Sequence, residues 1–184
     1  MGDKLAINIV TQNVMRSNIV NSEIKEYFAQ SSSPDILLVQ EPFCMNNSIV
    51  FNMQNSVIKC DRGPSEAPII ILNRSLNISK IPKFSNKFCT TIAISTSSMS
   101  VIISNFYIRP GRFNTSHTEF IENILTQYSA HPVILCGDFN SRNKAFYDHS
   151  NNANGHKLLS ILLSQSLTLH NNRSYTCFPR AGGK

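Results

Sequence analysis

The chain has 184 residues, 41% of them hydrophobic and 15% charged, enough for one globular domain with a substantial core. Its 17 Lys and Arg against 11 Asp and Glu leave a formal charge of +6 and a pI of about 9.2, a balance that favours a polyanionic partner. Five widely spaced cysteines, an odd total with no C-x-x-C pair, indicate neither a zinc ribbon nor a closed disulfide framework. The short apolar runs lack both the roughly 20 residues of a membrane span and the core of a secretory signal. The expectation is an intracellular protein with reduced thiols and no membrane partner.

A first strand is expected over about 5–10, followed by a loop containing Gln12-Asn13 and Arg16-Ser17. Val20, Ile24, Tyr27 and Phe28 recur at helical spacing and predict an amphipathic helix from about Ser22, ended by Ser31-Ser32-Ser33-Pro34. The apolar run from Asp35 to Gln40 completes a β-α-β unit. Between Pro42 and Phe106 the pattern predicts strands over 57–60, 69–72, 91–95 and 101–105, read as a meander.

A second helix is expected near Thr115, with Ser116-x-x-Glu119 as a capping box and Phe120, Ile121, Ile124, Leu125 and Tyr128 inward. His131-Pro132 ends it, and Val133 to Asp138 reads as the next strand. Leu158, Leu159, Leu162 and Leu163 mark a third helix after Asn154-Gly155, and Leu167 and Leu169 a last short strand. Strands interleaved with helices point to an α/β or α+β sandwich whose sheets are covered by helices.

Two strands run directly into acids: Ile36-Leu37-Leu38-Val39 delivers Gln40-Glu41 before Pro42, and Val133-Ile134-Leu135-Cys136 delivers Gly137-Asp138-Phe139-Asn140. A hard divalent ion such as Mg²⁺ takes one or two protein carboxylates and completes its shell with water and phosphate oxygens. Glu41 is the natural ligand, and Asp138 could accept a proton or hold a nucleophilic water while Asn140 donates to a phosphoryl oxygen. Taken singly, Glu41 reads more readily as a turn residue before Pro42, and Asp138 and Asn140 also read as parts of an Asx-turn. None of the five histidines has an evident carboxylate partner in sequence, and surface or capping roles are expected for all.

Gln12-Asn13, Gln40-Glu41, Asn105-Phe106-Tyr107 and Gly137-Asp138-Phe139-Asn140, in this order and spacing, resemble the endonuclease/exonuclease/phosphatase superfamily of Mg²⁺-dependent phosphodiesterases. Gln12-Asn13-Val14-Met15-Arg16-Ser17, Ile36 to Phe43, and Asn151-Asn152-Ala153-Asn154-Gly155 with Leu158-Leu159 narrow the likeness. They resemble the endonuclease domain of non-LTR, LINE-type retrotransposons, which nicks DNA before reverse transcription.

The resemblance implies one domain over 1–184 with a four-layer fold, in which two mixed β-sheets pack face to face between helices. It implies Mg²⁺, with Mn²⁺ as an alternative, a DNA substrate, a reverse transcriptase downstream in the same polyprotein, and nuclear residence. Carried over, Glu41 binds the metal and Asn13 helps orient metal and phosphate. Tyr107 hydrogen-bonds the scissile phosphate, Asp138 activates or positions water, and Asn140 steadies the phosphate.

Arg16, Arg109, Arg112, Arg142 and Lys144 are expected to contact DNA phosphates. The chain departs from the pattern in placing Ile108-Arg109 between Tyr107 and Pro110. It also lacks the closing Ser-x-x-Asp and Ser-Asp-His motifs, for which Tyr175-Thr176-Cys177-Phe178-Pro179 resembles the lead-in. The expectation is therefore a domain incomplete at its C-terminus, with the last strands missing. A same-fold phosphatase acting on a lipid or small phosphoester, or an inactive fragment, are the alternatives.

Overall fold

The computed structural model describes residues 6–30, 33–51, 53, 56–60, 65–97 and 99–171. These sort into two compact units: one from the segment up to Ile108 together with Ile124–Asp138, the other from Arg109–Asn123 and Phe139 onward.

The first unit holds two four-stranded mixed sheets. Sheet 1 has the order β1-β2-β6-β5, with β1 Ile9–Asn13, β2 Ile36–Gln40, β5 Val57–Lys59 and β6 Ile69–Ile71. Sheet 2 has the order β10-β9-β8-β7, with β7 Ile78–Lys80, β8 Cys89–Ser95, β9 Ser100–Tyr107 and β10 Val133–Asp138. In each sheet the two strands at one edge are parallel, β1 with β2 and β10 with β9, and the other pairs are antiparallel. The meander expected between Pro42 and Phe106 is thus split: β5 and β6 return to β2, and only β7, β8 and β9 follow one another in one sheet. A hairpin of β3 Cys44–Met45 and β4 Ser48–Ile49 turns through Asn46 and Asn47, both left-handed (φ 50° and 60°), the conformation a type I′ turn demands.

Period-2 alternation decides what each sheet buries. Ile36, Leu38, Ile69 and Ile71 of sheet 1 meet Ile92, Ile94 and Ile103 of sheet 2 in the inter-sheet core. Leu37, Val39 and Ile70 point to the other face of sheet 1, where they pack with Phe28 of helix α1 (Asn18–Gln30) and with Val14 and Phe51. Helix α1 starts four residues before its expected Ser22. Of its predicted inner face Val20, Ile24 and Phe28 pack inward, whereas Tyr27 is exposed and touches Phe28 edge-on. Strand β1 also departs from expectation: it runs to Asn13, because residue-for-residue pairing with Ile36–Gln40 continues to that point. Leu5, expected at its start, lies outside the described residues.

Helix α2 (Thr115–Gln127) contributes its last turn to the first unit, where Tyr128 meets Phe84 edge to face. Its cap is not Ser116, which lies inside the helix. Asn114 takes that role, its side-chain oxygen accepting from the His117 amide at 3.3 Å. Helix α3 (Ala153–Ser164) buries Asn154, Gly155 and Ile161 and half-buries Leu158, Leu159 and Leu162, while Leu163 is 72% exposed. No strand forms at Leu167 and Leu169. Among the described residues no helix is long and apolar enough to cross a membrane.

One buried polar atom of the inter-sheet face is unsatisfied. Thr90, fully buried, has no partner for its hydroxyl oxygen. Thr90→Val keeps the shape and removes the unmet hydroxyl, so it is expected to raise stability by about 1 kcal/mol, read as a higher denaturant midpoint at unchanged m.

Candidate active site

The inter-sheet space is built in rows, because paired residues share a face. On sheet 1, Ile9 lies beside Ile36, Thr11 beside Leu38 and Asn13 beside Gln40. On sheet 2, Ile103 lies beside Ile92 and Ile134, Asn105 beside Thr90 and Cys136, and Tyr107 beside Asp138. The rows therefore pass from aliphatic, through a buried polar layer of Gln40, Asn105 and Thr90, to Asn13, Tyr107 and Asp138 at the strand ends. Glu41 follows β2 directly.

The side chains at this end converge. The Asn13 amide group donates to Glu41 Oε1 at 3.1 Å and to Asp138 Oδ2 at 2.9 Å. Its oxygen accepts from the Met15 amide at 2.8 Å, which fixes which end of the side chain faces the carboxylates. Tyr107 is 5% exposed and its phenol hydrogen-bonds to Glu41. Burial, then the hydrogen bond and charge of Glu41 and the charge of Asp138, push that phenol far above its ordinary range, against a weaker pull from Arg16. It stays protonated and remains a donor. Arg16 stands with Nε 3.5 Å from Glu41 Oε2 and a terminal nitrogen 3.8 Å from Glu66 Oε1.

Met15, Arg16 and Glu41 are all left-handed (φ 50°, 54° and 47°), a cluster of strain of the kind found where function constrains the backbone. Hydrogen bonds hold it: the Arg16 amide donates to the Glu41 carbonyl at 2.8 Å, and the Glu41 amide to the Glu66 carbonyl at 3.0 Å. Glu66 is a member of this arrangement that the sequence did not announce, since it lies in an irregular stretch with no strand leading to it. Gly137 is required for close approach: at φ 128° its α-carbon faces the Phe106 backbone so tightly that a β-carbon would overlap it.

Asn140, Arg109, Arg112, Arg142 and Lys144 lie in the second unit. Arg109 and Arg112 are exposed at the two ends of a turn closed by the Arg112 amide on the Arg109 carbonyl, with Gly111 left-handed at its third position, as type II requires. Asn140, also left-handed (φ 47°), is gripped through its carbonyl by Asn152 Nδ2 at 3.0 Å and Asn154 Nδ2 at 3.3 Å. Asn152 Oδ1 accepts from the Gly155 amide at 2.7 Å as the cap of α3 and from the Arg142 amide at 3.0 Å. The Asn-rich stretch is thus a set of backbone clamps. Of the histidines, His149 does have a carboxylate neighbour, Asp148 at 3.2 Å, against the sequence expectation.

Two carboxylates meet at one amide donor, with the Arg16 guanidinium beside Glu41. Among the described residues no group of three or more His, Cys, Asp or Glu gathers as a metal cage. An oxygen set of two carboxylates fits a Mg²⁺-type ion, which keeps several waters and fills its shell from substrate phosphates.

The chain superposes on the endonuclease domain of TRAS1, a telomere-specific non-LTR retrotransposon, with a TM-score of 0.81 and 18% identity over 97% of this chain and 80% of that one. It carries the endonuclease/exonuclease/phosphatase fold. A second structure with this fold, the 3′ phosphatase NExo from Neisseria bound to product DNA hairpin, aligns with a TM-score of 0.51 and 18% identity over 87% of this chain and 71% of its own. The endonuclease-reverse transcriptase family model matches residues 101–183, a span that takes in Asn105, Tyr107, Asp138 and Asn140 and leaves Asn13 and Glu41 upstream. No curated protein sequence matches the chain.

Two measurements check this geometry. In metal-free protein the absorbance titration of the Tyr107→Phe variant should match that of the parent up to about pH 10.5, because Tyr107 does not ionise where free tyrosine does. With the folded phenol shifted upward, its contribution to stability is present below about pH 10 and declines as pH rises beyond it. Asn152→Ala removes a helix cap together with the grip on Asn140, and should cost about 1 to 2 kcal/mol by chemical denaturation.

Proposed function

We propose that this domain is a divalent-metal-dependent DNA endonuclease, the target-nicking part of a non-LTR retrotransposon polyprotein that also carries a reverse transcriptase and acts on nuclear DNA. The observation that carries the reading is the meeting of Glu41 and Asp138 at the Asn13 amide with the protonated Tyr107 phenol alongside. The family model and the retrotransposon endonuclease neighbour support the choice of DNA over other phosphoesters.

In this reading Glu41 and Asp138 offer the oxygens that hold Mg²⁺ or Mn²⁺. When bound, the ion supplies Lewis-acid polarisation of the phosphoryl group. Asn13 keeps the two carboxylates in register, its own oxygen being committed to Met15. Asp138 orients the attacking water and accepts its proton. The water oxygen bonds to phosphorus as the bond to the leaving sugar oxygen breaks. Tyr107 donates to a non-bridging phosphate oxygen as charge grows there, and the resemblance gives Asn140 a phosphate-steadying role. Arg109, Arg112, Arg142 and Lys144, with Arg16, neutralise flanking phosphates.

Supercoiled plasmid incubated with the protein and Mg²⁺ should be converted to the nicked circle, and Asp138→Ala should slow this by about a hundredfold or more. DNA affinity should fall steeply between 50 and 200 mM salt, as about four or five phosphate contacts require. Undiminished nicking by Asp138→Ala sinks the mechanism, and release of phosphate from a phosphomonoester without nicking assigns the site to a phosphatase instead.

A further inference from the structure

Beneath the carboxylates lies a feature the proposed chemistry does not use. Gln40 and Asn105, 2% and 0% exposed, belong to different sheets and meet across the inter-sheet core. Gln40 Nε2 donates to Asn105 Oδ1 at 2.6 Å, to Thr11 Oγ1 at 3.1 Å and to the Leu38 carbonyl at 3.3 Å. Asn105 Nδ2 in turn donates to the Val39 and Pro68 carbonyls, both at 2.8 Å, so this one side chain of sheet 2 is bonded to β2 and to the segment entering β6.

Isoleucine packing in the rows below is non-directional and would tolerate a small slide of one sheet over the other. Hydrogen bonds between amides would not, since they weaken steeply with angle and with a few tenths of an ångström. The bonded pair also sits where such a slide would matter. Gln40 is covalently joined to Glu41, and Asn105 lies one alternation, roughly 7 Å of strand, below Tyr107, beside the Cys136 that stands equally far below Asp138.

We propose that Gln40 and Asn105 are positioning residues: their bond across the sheets sets the lateral register at which Glu41, carried by sheet 1, faces Asp138 and Tyr107, carried by sheet 2. A buried amide pair is a poor source of net stability, and specification of one arrangement is the use to which such groups are best suited. Its catalytic meaning rests on the nuclease reading, but its geometry does not.

The test uses the full chain without metal and reads the Asn13 side-chain amide by NMR, because that group touches both carboxylates. Asn105→Leu removes the bond from Gln40 together with the two that Asn105 donates to the Val39 and Pro68 carbonyls, so no hydrogen bond of the pair joins the sheets. Ile103→Val, in the aliphatic row below, serves as the control for general loosening. In Asn105→Leu the Asn13 amide protons should exchange with solvent faster by about tenfold or more and shift toward free-amide values, with Ile103→Val close to the parent. Should Asn105→Leu not fold, Asn105→Ala, which removes the same bonds without added bulk, is read in its place against the same expectation. Unchanged Asn13 signals, or equal changes in the control, overturn the proposal. Failure of the intact protein to nick DNA would remove the nuclease reading and leave this readout to judge the clamp by itself.

Discussion

Parallel pairing at one edge of each sheet is the constraint from which the site follows. Parallel strands end at the same side, so β1 and β2 deliver Asn13 and Glu41 together, and β9 and β10 deliver Tyr107 and Asp138 together. Such pairs cannot be joined by a tight turn, which is why each encloses a helix: α1 between β1 and β2, and α2 between β9 and β10. Antiparallel neighbours would have carried these residues to opposite ends of the sandwich. With the sheets face to face, the two delivered pairs meet.

The change from aliphatic to polar along the inter-sheet rows separates two demands on the same strands. Lower rows exclude water and supply cohesion; the strand ends must carry charge, and unshielded charge against an isoleucine core would be heavily penalised. The Gln40, Asn105 and Thr90 layer grades one environment into the other, at the cost of one hydroxyl left unbonded. On the second unit, asparagines do related work with the backbone, holding Asn140 in a left-handed conformation that an unsupported residue would rarely keep.

The strands that carry the site were legible because their alternation and acidic ends are local signals: Ile36 to Glu41 and Val133 to Asp138 read from sequence much as they fold. The endpoint of β1 was less so, since it depends on a partner 27 residues away in sequence, as the Ile9 to Ile36 pairing makes plain. Tyr27 and Leu163 followed helical spacing yet face solvent, because spacing defines a stripe and not the width of the surface that covers it. Glu66, and the hydrogen bond from Gln40 to Asn105, were invisible for a more basic reason. Both are contacts between segments far apart in the chain, and no single stretch records them.

That long range has a consequence for how the domain is made. The bond from Asn13 to Asp138 joins residues 125 positions apart, and β10 must pair with β9 before it can form. Early strands can collapse and exclude water while only Glu41 and Asn13 of the cluster are in place. During synthesis the growing chain therefore has no paired carboxylates until Asp138 has emerged, and closing so large a loop late places assembly of the site among the slow steps of folding. The cluster is assembled by completion of the topology, not by any local element.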